Sequence, residues 1–184
     1  MNKQEFGLFA AALKTYYPRE TLLPNNQAME LWYKQLSDIP YHIAELSLNK
    51  WVATNKWSPS IADIREMAVT VKSGEKPQWS DGWEEVLRAI RCFGSYRETE
   101  ALESMSELTR LSVRRLGFKN LCMSENIMAD RANFRMIYEQ MADREHNTKR
   151  LPVNLLTMIE DVQSNEKQKK IEADREYMNK LLGL

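Results

Sequence analysis

Apolar residues recur along this chain at helical spacing, and no run alternates with the period of two that marks a half-buried strand. Phe6, Phe9, Ala10, Leu13 and Tyr17 fall at i, i+3, i+4, i+7 and i+11. They predict a first helix from about Lys3 until Pro18, with Asn2 as its cap. Met29, Trp32, Tyr33 and Leu36 predict a second, capped by Asn25 or Asn26 and ended by Asp38-Ile39-Pro40. In the next helix Pro40 suits the first turn, where its missing N–H needs no partner. Ala44, Leu48, Trp51 and Val52 form its stripe, while Ile43 and Leu46 fall on other faces, so this helix is expected to have neighbours on several sides. Pro59 ends the connection, Ser60 and Asp63 form an S-x-x-D cap, and Ile61, Ile64, Ala68 and Val71 give a fourth stripe.

Ser73-Gly74-Glu75-Lys76-Pro77 breaks the periodicity with the composition of a linker. A second helical set follows, with Ser80 as its cap, Trp83, Val86, Leu87 and Ile90 inward, and Gly94 as its stop. Tyr96 to Met105 reads as a short acidic helix, Ser106 to Leu116 as another ended by Gly117, and Phe118 to Met123 as a single turn. A longer helix starts at about Asn126 and buries Phe134, Ile137, Tyr138 and Met141. After Leu151-Pro152, Val153, Leu155, Leu156, Ile159 and Val162 suggest one more helix. Residues 163–174 are almost wholly polar, a solvated helix or disorder. Ile171, Met178, Leu181 and Leu182 then make a terminal apolar patch. The fold class is all-α, organised as residues 1–72, a linker 73–79, a second helical domain 80–150 and a C-terminal helix or tail 151–184.

Composition narrows the function more by exclusion than by assertion. The 184 residues carry 26 basic and 26 acidic side chains, and residues 1–76, 77–150 and 151–184 each lie within one charge of neutrality. No global basic excess points to nucleic acid, so any grip on phosphate requires a local cluster. Cys92 and Cys122 in apolar helical contexts fit buried thiols in a reducing compartment, and His42 and His146 supply no metal-ligand spacing beside them. Neither a signal peptide nor a run of ~20 apolar residues occurs, which reads as a cytoplasmic protein with no membrane partner.

Six glycines and no Gly-Lys pair exclude the phosphate cradle of a P-loop ATPase, and no cofactor is expected. Glu100 and Glu103 share one helix face at the E-x-x-E spacing that all-α nucleotide pyrophosphatases use to hold magnesium. The matching E-x-x-D is missing, since Glu139 and Asp143 stand one residue too far apart, and a solvated acidic face is the plainer reading. Arg outnumbers Lys ten to two in residues 77–150, which favours bidentate contacts to phosphate or carboxylate. Twelve acids in the same segment offer internal partners. Arg110, Arg114 and Arg115 are the candidate DNA contacts, although the turn after Gly117 is too short for a recognition helix. Trp57 beside Lys56 is a candidate for stacking on single-stranded DNA, against the more usual fate of a loop tryptophan folded back onto the next helix.

The run Leu31-Trp32-Tyr33, Leu36, Pro40-Tyr41, Ala53-Thr54-Asn55-Lys56, Pro59 and Ile61-Ala62-Asp63-Ile64-Arg65 resembles the N-terminal domain of bacteriophage replicative helicase loader/inhibitor proteins. The resemblance covers roughly the first 72 residues, and T-N-K-x-x-P-x-I-A-D-I-R carries most of it. Residues 82–126 are similar to a segment of longer phage replication proteins. The family implies a partner and no reaction: its members bind the hexameric replicative helicase, restrain its ATPase and DNA loading, and hand it to an origin-bound initiator. It also implies that a C-terminal segment contacts the helicase, which here would be Ile171, Met178, Leu181 and Leu182, unless they pack back on the chain's own bundle. Lys56, Trp57, Arg65 and Glu66 form a second candidate docking face.

Overall fold

The computed structural model describes residues 1–182, and side chains as far as Arg175. Ten helices occur among the described residues, and no strand. They are α1 (Lys3–Tyr16), α2 (Asn26–Leu36), α3 (Tyr41–Thr54), α4 (Ile61–Ser73), α5 (Trp79–Phe93), α6 (Glu98–Glu103), α7 (Glu107–Leu116), α8 (Phe118–Met123), α9 (Ile127–Arg150) and α10 (Val153–Leu182). They form two compact units, one of residues 1–72 with 150–184 and the other of residues 73–149.

The first unit is built on α1. Asn2 and Glu5 close a reciprocal capping box at its start, satisfying two donors that the helix leaves free. Phe6, Phe9, Ala10 and Leu13 are all buried on one face, in one core with Ala44 and Leu48 of α3, Leu36 at the end of α2, Ile39 after it, and Ile64 and Ala68 of α4. Burial of each large side chain contributes about 1.5–3 kcal/mol. The terminal ammonium of Met1 donates to the carbonyls of Ser37 and Ile39 at 2.5 and 2.8 Å, a cation placed at the negative end of α2.

Two features of this unit differ from what its sequence predicts, and one agrees. Pro40 is the residue before α3, with extended ψ of 143°, and so lies outside its first turn. Leu46 is 53% exposed, which makes α3 one-sided rather than central; α1 covers one face and the Leu46 face stays open. Ser60 and Asp63 do bond each other as a cap for α4.

The second unit packs α5 and α9 with α6, α7 and α8. Its core holds Trp83, Val86, Val113, Phe118, Phe134 and Tyr138, and the Phe134 ring lies 5.4 Å from that of Trp83 and 5.5 Å from that of Tyr138. Gly82 permits this: a Cβ there would stand 2.7 Å from Tyr138 Cε2, 2.9 Å from Thr109 Oγ1 and 3.2 Å from Phe134 Cζ. Ser80 does not cap α5, which begins at Trp79 without a side-chain cap. A cap of another kind serves α7, where Glu85 accepts from the N–H and hydroxyl of Ser106 at 2.9 and 2.8 Å. Gly94 and Gly117 end their helices at φ of 60° and 85°, a region that disfavours side chains. Cys92 is exposed rather than buried; Cys122 is half-buried, and burial and then Glu98 push its thiol pKa up.

Candidate functional site

The connection between α3 and α4 is tied at both ends. Trp51 donates its indole N–H to the Trp57 carbonyl at 2.8 Å, Ser58 donates to Glu20, and Pro59 is buried. With its backbone held in this way, the Trp57 side chain points outward and is 78% exposed, beside exposed Lys56. The expectation that Trp57 folds back on α4 is therefore corrected. Trp51 is half-buried, and its N–H holds the Trp57 carbonyl instead.

Arg65 leaves the proposed docking face for the opposite reason: it is only 7% exposed. Its Nη1 donates to the Gln35 carbonyl at 2.6 Å and to Asp38 Oδ1 at 2.8 Å, and its Nη2 to Asp38 Oδ2 at 2.9 Å. Its Nε donates to the Arg150 carbonyl. The guanidinium fork thus joins three separate stretches of chain, which a lysine's point charge cannot do. Burial pushes the Asp38 pKa up, but the hydrogen bond and charge of Arg65, with backbone N–H groups of Asp38 and Val153, outweigh it and hold the carboxyl below its ordinary value. Glu66, the next residue, is half-buried and pairs with Arg150 at 2.8 Å. Of the four residues proposed for one face, only Lys56 and Trp57 are exposed together.

In the second unit, Arg114 and Arg115 are exposed in the last turn of α7, where a positive charge is favoured by the helix dipole. Arg110 lies one turn earlier, half-buried, and its Nε is shielded without a hydrogen-bond partner. Pairing with the segment's acids is sparse: among the described residues, Arg135 with Glu139 at 2.9 Å is the arginine–carboxylate pair within residues 77–149. Arg131 and Arg135 instead cover the Trp79 ring at 5.0 and 5.2 Å, a cation–π arrangement. Glu100 and Glu103 are exposed on the six-residue α6, and no three His, Cys, Asp or Glu side chains gather among the described residues.

None of the described side chains of α10 is buried. Ile171 is 67% exposed, while Met178, Leu181 and Leu182 lie outside the described side chains. Val153, Met158 and Val162 are more than 60% exposed, and Leu155 and Ile159 are each 36% exposed. The apolar residues of 153–162 lie on the helix their spacing suggests, and all but the half-buried Leu156 are presented to solvent. No helix among the described residues is long and apolar enough to cross a membrane.

No curated protein and no solved structure matches the chain. A family model does, over residues 1–65, the stretch that includes α1 to α3, the Trp57 connection and, as its last position, Arg65; it describes the N-terminal domain of a phage helicase loader/inhibitor. Over residues 1–65 the chain is therefore similar to the N-terminal domain of phage helicase loader/inhibitors, the family that the run ending in Ile61-Ala62-Asp63-Ile64-Arg65 resembles.

Proposed function

We propose that the protein is an adaptor of phage DNA replication, without catalysis of its own, that binds the hexameric replicative helicase of phage or host and controls its loading and ATPase. It would act in the bacterial cytoplasm and pass the helicase to an origin-bound initiator. The match of residues 1–65 carries this reading. The state of α10 supports it: a helix of 30 residues with no buried side chain among those described gains little from its own chain, and an isolated helix is marginal in water. A partner surface would supply what it lacks. Burying Leu155, Met158, Ile159, Val162 and Ile171 would yield about 1.5–3 kcal/mol each before ordering costs, a scale suited to reversible capture.

The test is co-purification with the replicative helicase, comparing the full chain with one ending at Pro152, which keeps the carbonyl that Arg65 binds. Loss of capture in the shorter chain is expected. Retained capture would rule out the terminal helix as the contact and direct attention to Lys56 and Trp57.

A second reading, a replisome organiser that binds DNA directly, draws on the exposed pair Arg114 and Arg115 and the shielded Arg110 beside them. It requires salt-dependent DNA binding by the protein alone, with the slope of log K on log salt falling by about two when Arg114 and Arg115 become Ala.

A further inference from the structure

We infer that Arg65 and Asp38 are positioning residues for the C-terminal helix: they lock its root to the N-terminal helices, so residues 1–72 set the direction in which α10 runs. Several observations meet at this point. The Arg65 guanidinium is buried and spends three of its nitrogens on Gln35, Asp38 and Arg150. Gln35 stands in the last turn of α2 and Arg150 is the last residue of α9, positions whose carbonyls have no partner further along their own helix. Arg65 therefore serves two such carbonyls at once, while Asp38 balances its charge. Arg150 is also gripped through its side chain by Glu66, so both its main chain and its side chain are held by neighbouring residues of α4.

Pro152, two residues on, is buried. Its ring forbids continuation of the preceding helix and biases Leu151 away from the α region. Its carbonyl accepts from Leu155 and Leu156 at 3.0 Å each, opening α10. The proline ends one helix and starts the next, but by itself leaves the direction of α10 unspecified. That direction is fixed because Arg150, just before the break, is clamped to α4. The backbone of Val153, the first residue of α10, is also among the groups that lower the Asp38 pKa.

This inference concerns where the helix is held and is independent of what it binds. The test uses the full chain with Cys92 and Cys122 replaced by Ser and spin labels at Lys14→Cys on α1 and Thr157→Cys on α10, both exposed positions. One narrow distance distribution is expected in the parent. Arg65→Lys keeps the charge but loses the fork, and should broaden the distribution about twofold or more while the α1 and α3 amides stay protected from exchange. An unchanged narrow distribution in Arg65→Lys would overturn the inference. A measurement that needs no substitution stands beside it, in case the variant loosens the whole unit. In the unaltered protein, the Leu155 and Leu156 amides should exchange about 100-fold more slowly than those of residues 160–165, close to the rate of the α4 amides. Exchange of Leu155 and Leu156 as fast as that of residues 160–165 would equally refute it.

Discussion

Replacing Gly82 with alanine sets two rules of helix energetics against each other within the second unit. On an exposed helix the change would stabilise by about 1 kcal/mol, because alanine loses less backbone entropy than glycine. Here the added Cβ would lie 2.7 Å from Tyr138 Cε2, 2.9 Å from Thr109 Oγ1 and 3.2 Å from Phe134 Cζ. All three neighbours are themselves buried, with 3% exposure or less, so none can swing into solvent to make room. Either α5 moves away from α7 and α9, or the two rings leave their rotamers and their mutual packing at 5.5 Å. Overpacking of this kind costs about 1–3 kcal/mol, and two contacts below 3.0 Å argue for the upper part of that range. Subtracting the helix-propensity gain leaves a net loss of about 1–2 kcal/mol. For a unit of this size that lowers the melting temperature by about 5–15 °C. Hydrogen exchange resolved by residue is the suitable assay, since it separates the second unit from the first. Protection should fall at the Phe134 and Tyr138 amides and stay constant at those of Phe9 and Leu13. A Gly82→Ala protein as stable as its parent, or more so, would refute the close approach of α9 to α5 and leave only the propensity rule.

Other expectations concern the first unit and its terminal helix. The folded-state pKa of Asp38 lies below its ordinary value, so its charge stabilises the fold above about pH 4, and this contribution is lost as pH falls through the lower folded value. Asp38→Asn should therefore lower the melting temperature of the first unit most at neutral pH, and the gap from the parent should close on acidification below about pH 4 in a series of thermal melts. Trp57→Ala should change stability by less than about 0.5 kcal/mol in urea titration, whereas Trp51→Phe, which removes the N–H bonded to the Trp57 carbonyl, should cost about 0.5–1.5 kcal/mol. Ile159→Asp should leave both units' melting unchanged and weaken helicase capture about tenfold or more under the proposed function, measured by surface binding at fixed salt.

The parts of this molecule that can be read residue by residue are those decided within one or two turns of chain. Asn2 with Glu5, Asn25, and Ser60 with Asp63 close their helices through bonds three residues long. Gly94 and Gly117 end theirs through their own backbone freedom. The stripes of Phe6, Phe9 and Leu13, and of Trp83 and Val86, are buried as their periodicity requires. Leu46, Val153, Met158 and Val162 are as apolar and stay exposed, because burial needs a facing element and periodicity says nothing about which stripes find one.

The candidate site divides along the same line. The sequence by itself determined the all-α class, most of the helices, the caps at Asn2, Asn25 and Ser60 and the likeness of residues 1–65 to the loader/inhibitor N-terminal domain, because caps, turns and stripes are local and the family pattern is carried by residue identity. Only the tertiary structure decided that Arg65 turns inward and Trp57 outward, although both lie in the same short run. Asp38 and Arg150 stand 27 and 85 residues from Arg65 along the chain. A guanidinium's place is fixed by which carboxylate and carbonyls come within about 3 Å of it, a distance that no spacing along the chain reveals. The Trp57 side chain faces solvent while its backbone carbonyl is held by the N–H of Trp51.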